Sequence, residues 1–348
     1  MSGGRAAGRQ GGTLVIQTAF LGDVVLTTPL LSRLARRDGP VDVVTTPAAA
    51  GLLAGHPDVA GVIGYDKRGA DAGPNGLWRM GAVLRARRYD RAYLPHRSWR
   101  SAALALLADV PERTGFADAP AAMTYTARVP RPRSGHEVER LLALAGGAPE
   151  PAPPVSLALT DEDRRAADEW LAARGLAPGF TALAPGSIWG TKRWPGYPEL
   201  AARLEGPVVV VGGADDVPLA ETVAARAPAR IHVAAGQLTL RQSAALLSRA
   251  AVLVTNDSAP LHLATAVGTR VVALFGPTVP AQGFGPRGPR DVALGHAGLA
   301  CRPCSAHGPA VCPLLHHRCM RELAVDTVLA AVHATTTAEE RGALRSGD

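Results

Sequence analysis

The sequence predicts an α/β chain of two doubly wound, Rossmann-like domains, and three observations predict it. Apolar runs alternate with helix-period segments along most of the 348 residues, the rhythm of strands joined by crossover helices in parallel sheets. The length suits two cores at roughly 100–200 residues per domain. A break at residues 146–154, Gly-Gly-Ala-Pro-Glu-Pro-Ala-Pro-Pro, holds four prolines and fits neither a helix nor a central strand. The expected domains are therefore 13–150 and 151–335.

In the first domain, Thr13–Thr18, Val41–Thr46 and Arg91–Pro95 read as strands, with helices at Val24–Arg37 and Leu77–Arg88. In the second, strands are expected at Phe180–Ala184, Val208–Val211, Ala251–Thr255 and Arg270–Phe275. Helices are expected there at Asp161–Arg174, Asp216–Arg226, Leu240–Ala250 and Ser258–Val267. The first twelve and last fifteen residues read as disordered tails. Ligands of doubly wound folds bind at the C-terminal edges of the strands, so candidates are sought at strand ends, facing a cleft expected between the domains.

Composition narrows the function. Aromatic residues make up 4% of the chain, too few for base-stacking platforms, and no nucleic-acid motif is present. No run approaches the ~20 apolar residues of a membrane span. Arg5 and Arg9 precede an apolar stretch, but Gln17 and Asp23 interrupt it and no small-x-small site follows, so it reads as strand, loop and helix of a cytoplasmic protein. The net charge is +7, unevenly placed: residues 1–150 hold 19 Lys+Arg against 13 Asp+Glu, and residues 151–348 hold 18 against 17. A first domain at +6 points to an anionic partner, such as a phosphorylated lipid surface or substrate. Only Lys67 and Lys192 are lysines; every other base is Arg. Such a chain keeps Lys where a compact point charge is wanted.

Cys301, Cys304, Cys312 and Cys319 fall within nineteen residues, with His307, His316 and His317 among them. The Cys-x-x-Cys pair has metal-knuckle spacing, so a structural zinc is weighed against reduced thiols that pin a loop.

Three strand-to-helix segments carry chemistry. The first runs from Leu14 to Pro29. Asp23 at its helix start is suited to capping, and equally to general-base work at a strand edge. Gly22 stands alone, so this is no Gly-x-Gly-x-x-Gly dinucleotide fingerprint. The second runs from Ala184 to Pro195. Its small residues allow close backbone approach, Ser187 and Thr191 offer hydroxyls, and Lys192 offers charge to phosphate oxygens. The third, Thr255 to His262, places the Ser258 and Ala259 amides at a helix N-terminus, where anions bind. Asp257 competes there as N-cap, or accepts from sugar hydroxyls, or orients Lys192. His262, one turn on, is expected at the donor, although a packed histidine is the plainer reading. After Val211, Asp215 is a ligand candidate and Asp216 a cap.

Together these segments resemble glycosyltransferase family nine, the ADP-heptose:lipopolysaccharide heptosyltransferases, and the second is similar to the type II branch. His136–Arg140, Ala273–Thr278 and the stretch ending Cys319-Met320 match in order, so the resemblance spans about residues 13–335. It implies a GT-B fold, with an acceptor domain first and a nucleotide-sugar domain second, and inversion at the anomeric carbon without a required metal. Asp23 would be the base. Lys192, Ser187 and Thr191 would hold the diphosphate, and Asp257, Ser258, Ala259, Asp215 and His262 the rest of ADP-heptose. Thr27, Thr28, Arg97 and Arg100 are expected to face a phosphorylated glycolipid acceptor at the inner-membrane surface. Ala259 stands where the family usually has Gly; it keeps its N–H but resists positive φ. Rival readings are a GT-B transferase with another donor or acceptor, an NAD-dependent oxidoreductase, and a non-catalytic nucleotide-sugar or lipid binder. The missing glycine fingerprint opposes the second, and Asp23 with Lys192 opposes the third.

Overall fold

Short Val- and Leu-rich runs between helices dictate the architecture. The computed structural model describes residues 11–146 and 150–336. The chain divides into two units, up to Ala158 and from Leu159 onward. In the first, β1 (Thr13–Ile16), α1 (Leu21–Asp38), β2 (Val41–Thr45), α2 (Pro47–Leu53), β3 (Val59–Gly64), α3 (Gly73–Arg85), β4 (Arg91–Leu94), α4 (Trp99–Leu107), β5 (Glu112–Phe116), β6 (Ala127–Val129) and α5 (Glu137–Leu142) follow in order. In the second come α6 (Asp161–Ala172), β7 (Thr181–Ala184), α7 (Tyr197–Arg203), β8 (Val208–Val210), α8 (Val217–Ala224), β9 (Ile231–Val233), α9 (Leu240–Leu247), β10 (Val252–Asn256), α10 (Ala259–Ala266), β11 (Arg270–Phe275), β12 (Val292–Gly295), α11 (Arg318–Arg321) and α12 (Val325–Thr336).

Each unit holds one parallel six-stranded sheet. The orders are β3-β2-β1-β4-β5-β6 and β12-β11-β10-β7-β8-β9, the same winding twice. Strand order reverses between β1 and β4, and again between β7 and β10, and these switch points are where a doubly wound sheet opens a ligand crevice. Successive side chains on a strand point to opposite faces. Leu14 and Ile16 therefore pack with Met80, Leu84 and Leu104 on one side of the first sheet. Val15 packs with Leu30, Leu31 and Leu34 on the other. In the second sheet, Val252, Val254, Val272 and Leu274 share a core with Trp194, Tyr197 and Met320. Burying each such aliphatic side chain contributes about 1.5–3 kcal/mol.

The strands expected from sequence all form, within a residue or two at their ends. The readings omitted β3, β5, β6, β9 and β12, which are short or partly exposed. Two expectations are corrected. Gly11 and Gly12 pair with the backbone of Arg88 and Asp90, and Thr335 is buried in α12, so neither is tail; the rest of the expected tails lies outside the described residues. The proline-rich break also lies on the first unit, where Arg33 donates to Pro151 O at 3.1 Å, and the residues just after it dock there too. The Ser156 amide donates to Thr28 Oγ1 at 3.1 Å, and its hydroxyl lies 3.1 Å from His56 Nε2, which moves the division from 150/151 to 158/159. The His136–Arg140 motif is structural: the His136 ring caps α5, and buried Glu137 is paired with Arg131 and Arg140.

Candidate active site

The second switch point gathers two of the expected side chains and a third that was not expected. The chain leaves β7 at Ala184, turns through residues 185–193, and places Lys192 at the end of a single 3-10 turn. From the neighbouring strand, Asp257 follows β10 directly, its amide continuing the ladder to Leu274 O at 3.1 Å. Lys192 Nζ reaches Asp257 Oδ2 at 2.7 Å, and the Thr278 hydroxyl donates to the same oxygen at 2.6 Å. Ser258, not Asp257, is the N-cap of α10. Asp257 is thereby left to face Lys192 rather than the helix amides. Ala259 opens that helix without a positive φ, so no glycine is required there.

Asn256 fixes this geometry, a role the motif reading missed. It is fully buried. Its Nδ2 donates to Pro185 O at 2.8 Å, and its Oδ1 accepts from the Trp194 amide and the Tyr197 hydroxyl, both at 3.3 Å. One side chain thus ties β10 to both ends of the Lys192 loop. Ser187 is half-buried and accepts from the Trp189 amide at 3.2 Å. His262 is buried, with its ring edge-on to Phe284. Asp216 caps Gly213 at 3.0 Å and packs against Gly186, where a Cβ would stand 2.2 Å from its carboxylate. Asp215 beside it is exposed, on the loop adjoining that of Lys192.

Thr191, expected at the diphosphate, is engaged within the protein. Its hydroxyl donates to Pro309 O, and its carbonyl accepts from His317 Nε2 at 2.7 Å, so it anchors the cysteine-rich segment instead of offering a donor to phosphate. Of the two readings of the cysteines, the arrangement fits thiols that pin a loop. Among the described residues, no three His, Cys, Asp or Glu side chains gather as a metal-holding group. Cys304 Sγ donates to Cys301 O at 3.1 Å, and Cys319 is packed in the core, where burial pushes its thiol up to about 11. Burial also raises the Cys312 thiol, but the backbone amides of residues 314–317 outweigh it and hold it below the ordinary value. The segment straps the Lys192 loop rather than enclosing an ion.

The first switch point carries Asp23. It lies in the first turn of α1, not at the cap, and Oδ2 accepts from the Phe20 amide at 3.2 Å, an acidic group against the positive helix end. Thr27 and Thr28, expected at the acceptor, are both buried, and their hydroxyls donate within α1, to Asp23 O at 2.7 Å and Val25 O at 2.8 Å. Arg97 and Arg100 are exposed at the end of β4 and the start of α4, Arg97 paired with Asp118 at 2.6 Å. Two further residues belong to this edge. Lys67 Nζ donates to Thr18 O at 2.5 Å, and His96 Nδ1 lies 3.1 Å from Thr18 Oγ1. Burial, then the charges of Lys67 and Arg97, hold His96 down to about 4, so its imidazole is neutral at pH 7. Lys67 carried a signal in the sequence, as one of two lysines; His96 carried none.

Known structures share this fold. The fold aligns over 94% of the chain with a family 9 glycosyltransferase from Veillonella parvula, at TM-score 0.83 and 23% identity, covering 98% of that chain. It also aligns over 94% with the Escherichia coli ADP-heptose LPS heptosyltransferase II, at TM-score 0.78 and 26% identity, covering 99% of that chain. The protein is a GT-B glycosyltransferase. In sequence, it is 30% identical to lipopolysaccharide heptosyltransferase 2 of Salmonella typhimurium over 292 residues, which is 77% of this chain and 83% of the other. The chain belongs to glycosyltransferase family 9 (heptosyltransferase), whose family model matches residues 77–311. No helix among the described residues is long and apolar enough to cross a membrane.

Proposed function

We propose that the chain transfers heptose from ADP-heptose to a phosphorylated inner-core acceptor of lipopolysaccharide, with inversion at the anomeric carbon. The observation that carries this reading is the Lys192–Asp257–Thr278 cluster at the β7/β10 switch point, beside the N-terminus of α10. The donor is that named for the E. coli heptosyltransferase II.

Asp23 takes the proton of the acceptor hydroxyl as its oxygen bonds to the anomeric carbon. The bond from that carbon to the diphosphate oxygen breaks, and its electron pair leaves with ADP. Lys192 and the Ser258 and Ala259 amides stabilise the charge that develops there. Asp257, relieved of Lys192 by the diphosphate, accepts from sugar hydroxyls, with Ser187, Asp215 and His262 nearby on the donor side. Arg97 and Arg100, in the more basic half of the chain, meet the acceptor's phosphates at the cytoplasmic face of the inner membrane.

Thermal unfolding with ADP, UDP, GDP and NAD at equal saturating concentration tests the donor. A ligand at a hundred times its dissociation constant adds about 2.7 kcal/mol. A shift with ADP alone is the expected result. A larger shift with UDP or GDP overturns the donor, and no shift with any of them overturns the nucleotide site.

A further inference from the structure

The turn after β11 presents a side chain that the reaction above does not yet employ. Thr278 is 2% exposed, and its hydroxyl and Lys192 share one oxygen of Asp257. The turn is itself gripped from behind. Arg302 donates through Nε to Gly276 O at 2.5 Å, and through Nη2 to Phe275 O at 2.8 Å and Thr278 O at 3.0 Å. Its Nη1 donates to His296 O, beyond the end of β12. Gly295 makes room for this: a Cβ there would lie 2.7 Å from both Arg302 Nη2 and Phe275 O. The planar five-donor fork of Arg suits four carbonyls around one point in a way that Lys does not.

We propose that Thr278 is a positioning residue of the donor site, with Arg302 holding the turn that presents it. The inference rests on the donor-site reading and deepens it. In the ligand-free chain Lys192 balances a buried carboxylate. When a diphosphate draws the ammonium away, Asp257 keeps one strong donor, the Thr278 hydroxyl, and stays aimed at the sugar. A buried carboxylate stripped of both partners is costly. Without the hydroxyl, Asp257 therefore holds Lys192 more tightly and competes with the diphosphate.

The test compares Thr278→Val, Thr278→Ser and Thr278→Ala with the unaltered full chain. ADP affinity is read by calorimetry, kcat and KM with ADP-heptose, and folding by thermal midpoint. Removing a hydrogen bond to a charged group predicts that Thr278→Val loses about 10- to 100-fold in kcat/KM, with weaker ADP binding. Thr278→Ser recovers most of that loss. A packing role predicts the reverse order, because Val keeps the shape and Ser does not. Should Thr278→Val fail to fold, the Ser and Ala variants carry the test, since they differ only in the hydroxyl; equal kcat/KM for that pair overturns the assignment. Arg302→Lys lowers ADP affinity in the same direction as Thr278→Val, and wild-type affinity in that variant overturns its role. If the unaltered chain binds ADP and turns over while Thr278→Val matches it, only this inference falls. If the unaltered chain does neither, the donor-site reading falls and takes the inference with it.

Discussion

Lys192 Nζ stands 2.7 Å from Asp257 Oδ2, and the two side chains are 10% and 9% exposed. The residues are 65 apart in sequence and meet because β7 and β10 are neighbours in the sheet. A pair this buried gives little net stability, but removing one partner leaves a charge without compensation.

Lys192→Met should therefore destabilise the second unit by about 3–5 kcal/mol and weaken ADP binding by about tenfold or more. Adding Asp257→Asn should return part of the lost stability, a coupling that a double-mutant cycle in urea would expose. Unchanged ADP affinity in Lys192→Met removes that residue from the phosphate site.

At Asp23, the Asn replacement keeps an oxygen to accept from the Phe20 amide, so α1 should form normally. Turnover should nevertheless fall by at least ~10²-fold while ADP binding holds. A variant with near-wild-type rate means that the base lies elsewhere.

Asn256 serves Pro185 and Trp194 at the two ends of the Lys192 loop, and Tyr197 of α7, from full burial. Asn256→Ala should cost about 2–4 kcal/mol, because Pro185 O and the Trp194 amide are left buried without their partner. Guanidinium-induced unfolding with ADP absent measures this. A loss under 1 kcal/mol would show that the loop is held by the cysteine-rich segment instead.

The pH dependence of stability should carry the signature of His96. Its folded-state value of about 4 lies below the ordinary 6.5, so the unfolded chain binds more protons between those values. Stability is fully present above pH 6.5 and declines as pH falls toward 4, with His96 contributing of order 2 kcal/mol. Paired carboxylates such as Asp38 and Asp71, lowered first by their Arg neighbours, act in the same direction at lower pH. His96→Gln should flatten the curve between pH 4 and 6.5. Superimposable curves for the two proteins would refute the assignment.

Much of this was legible in the sequence, and the reasons differ by residue. Asp23, Lys192 and Asp257 stand out in the sequence as candidates because each falls in a segment that links an apolar run to a helix, a local pattern. The partners of Thr27 and Thr28 were not legible, because a hydroxyl in a helix reaches a backbone carbonyl or solvent according to what packs around it. The cysteines left two readings open, because knuckle spacing says nothing of where the side chains converge.

The sequence by itself determined the α/β class, seven of the strands and the family, because apolar periodicity and turn chemistry act over a few residues. Only the tertiary structure decided which of those ends share a carboxylate. Thr278 and Arg302 reach the site from strands and loops that adjoin it through sheet order, and no period along the chain records which strands become neighbours.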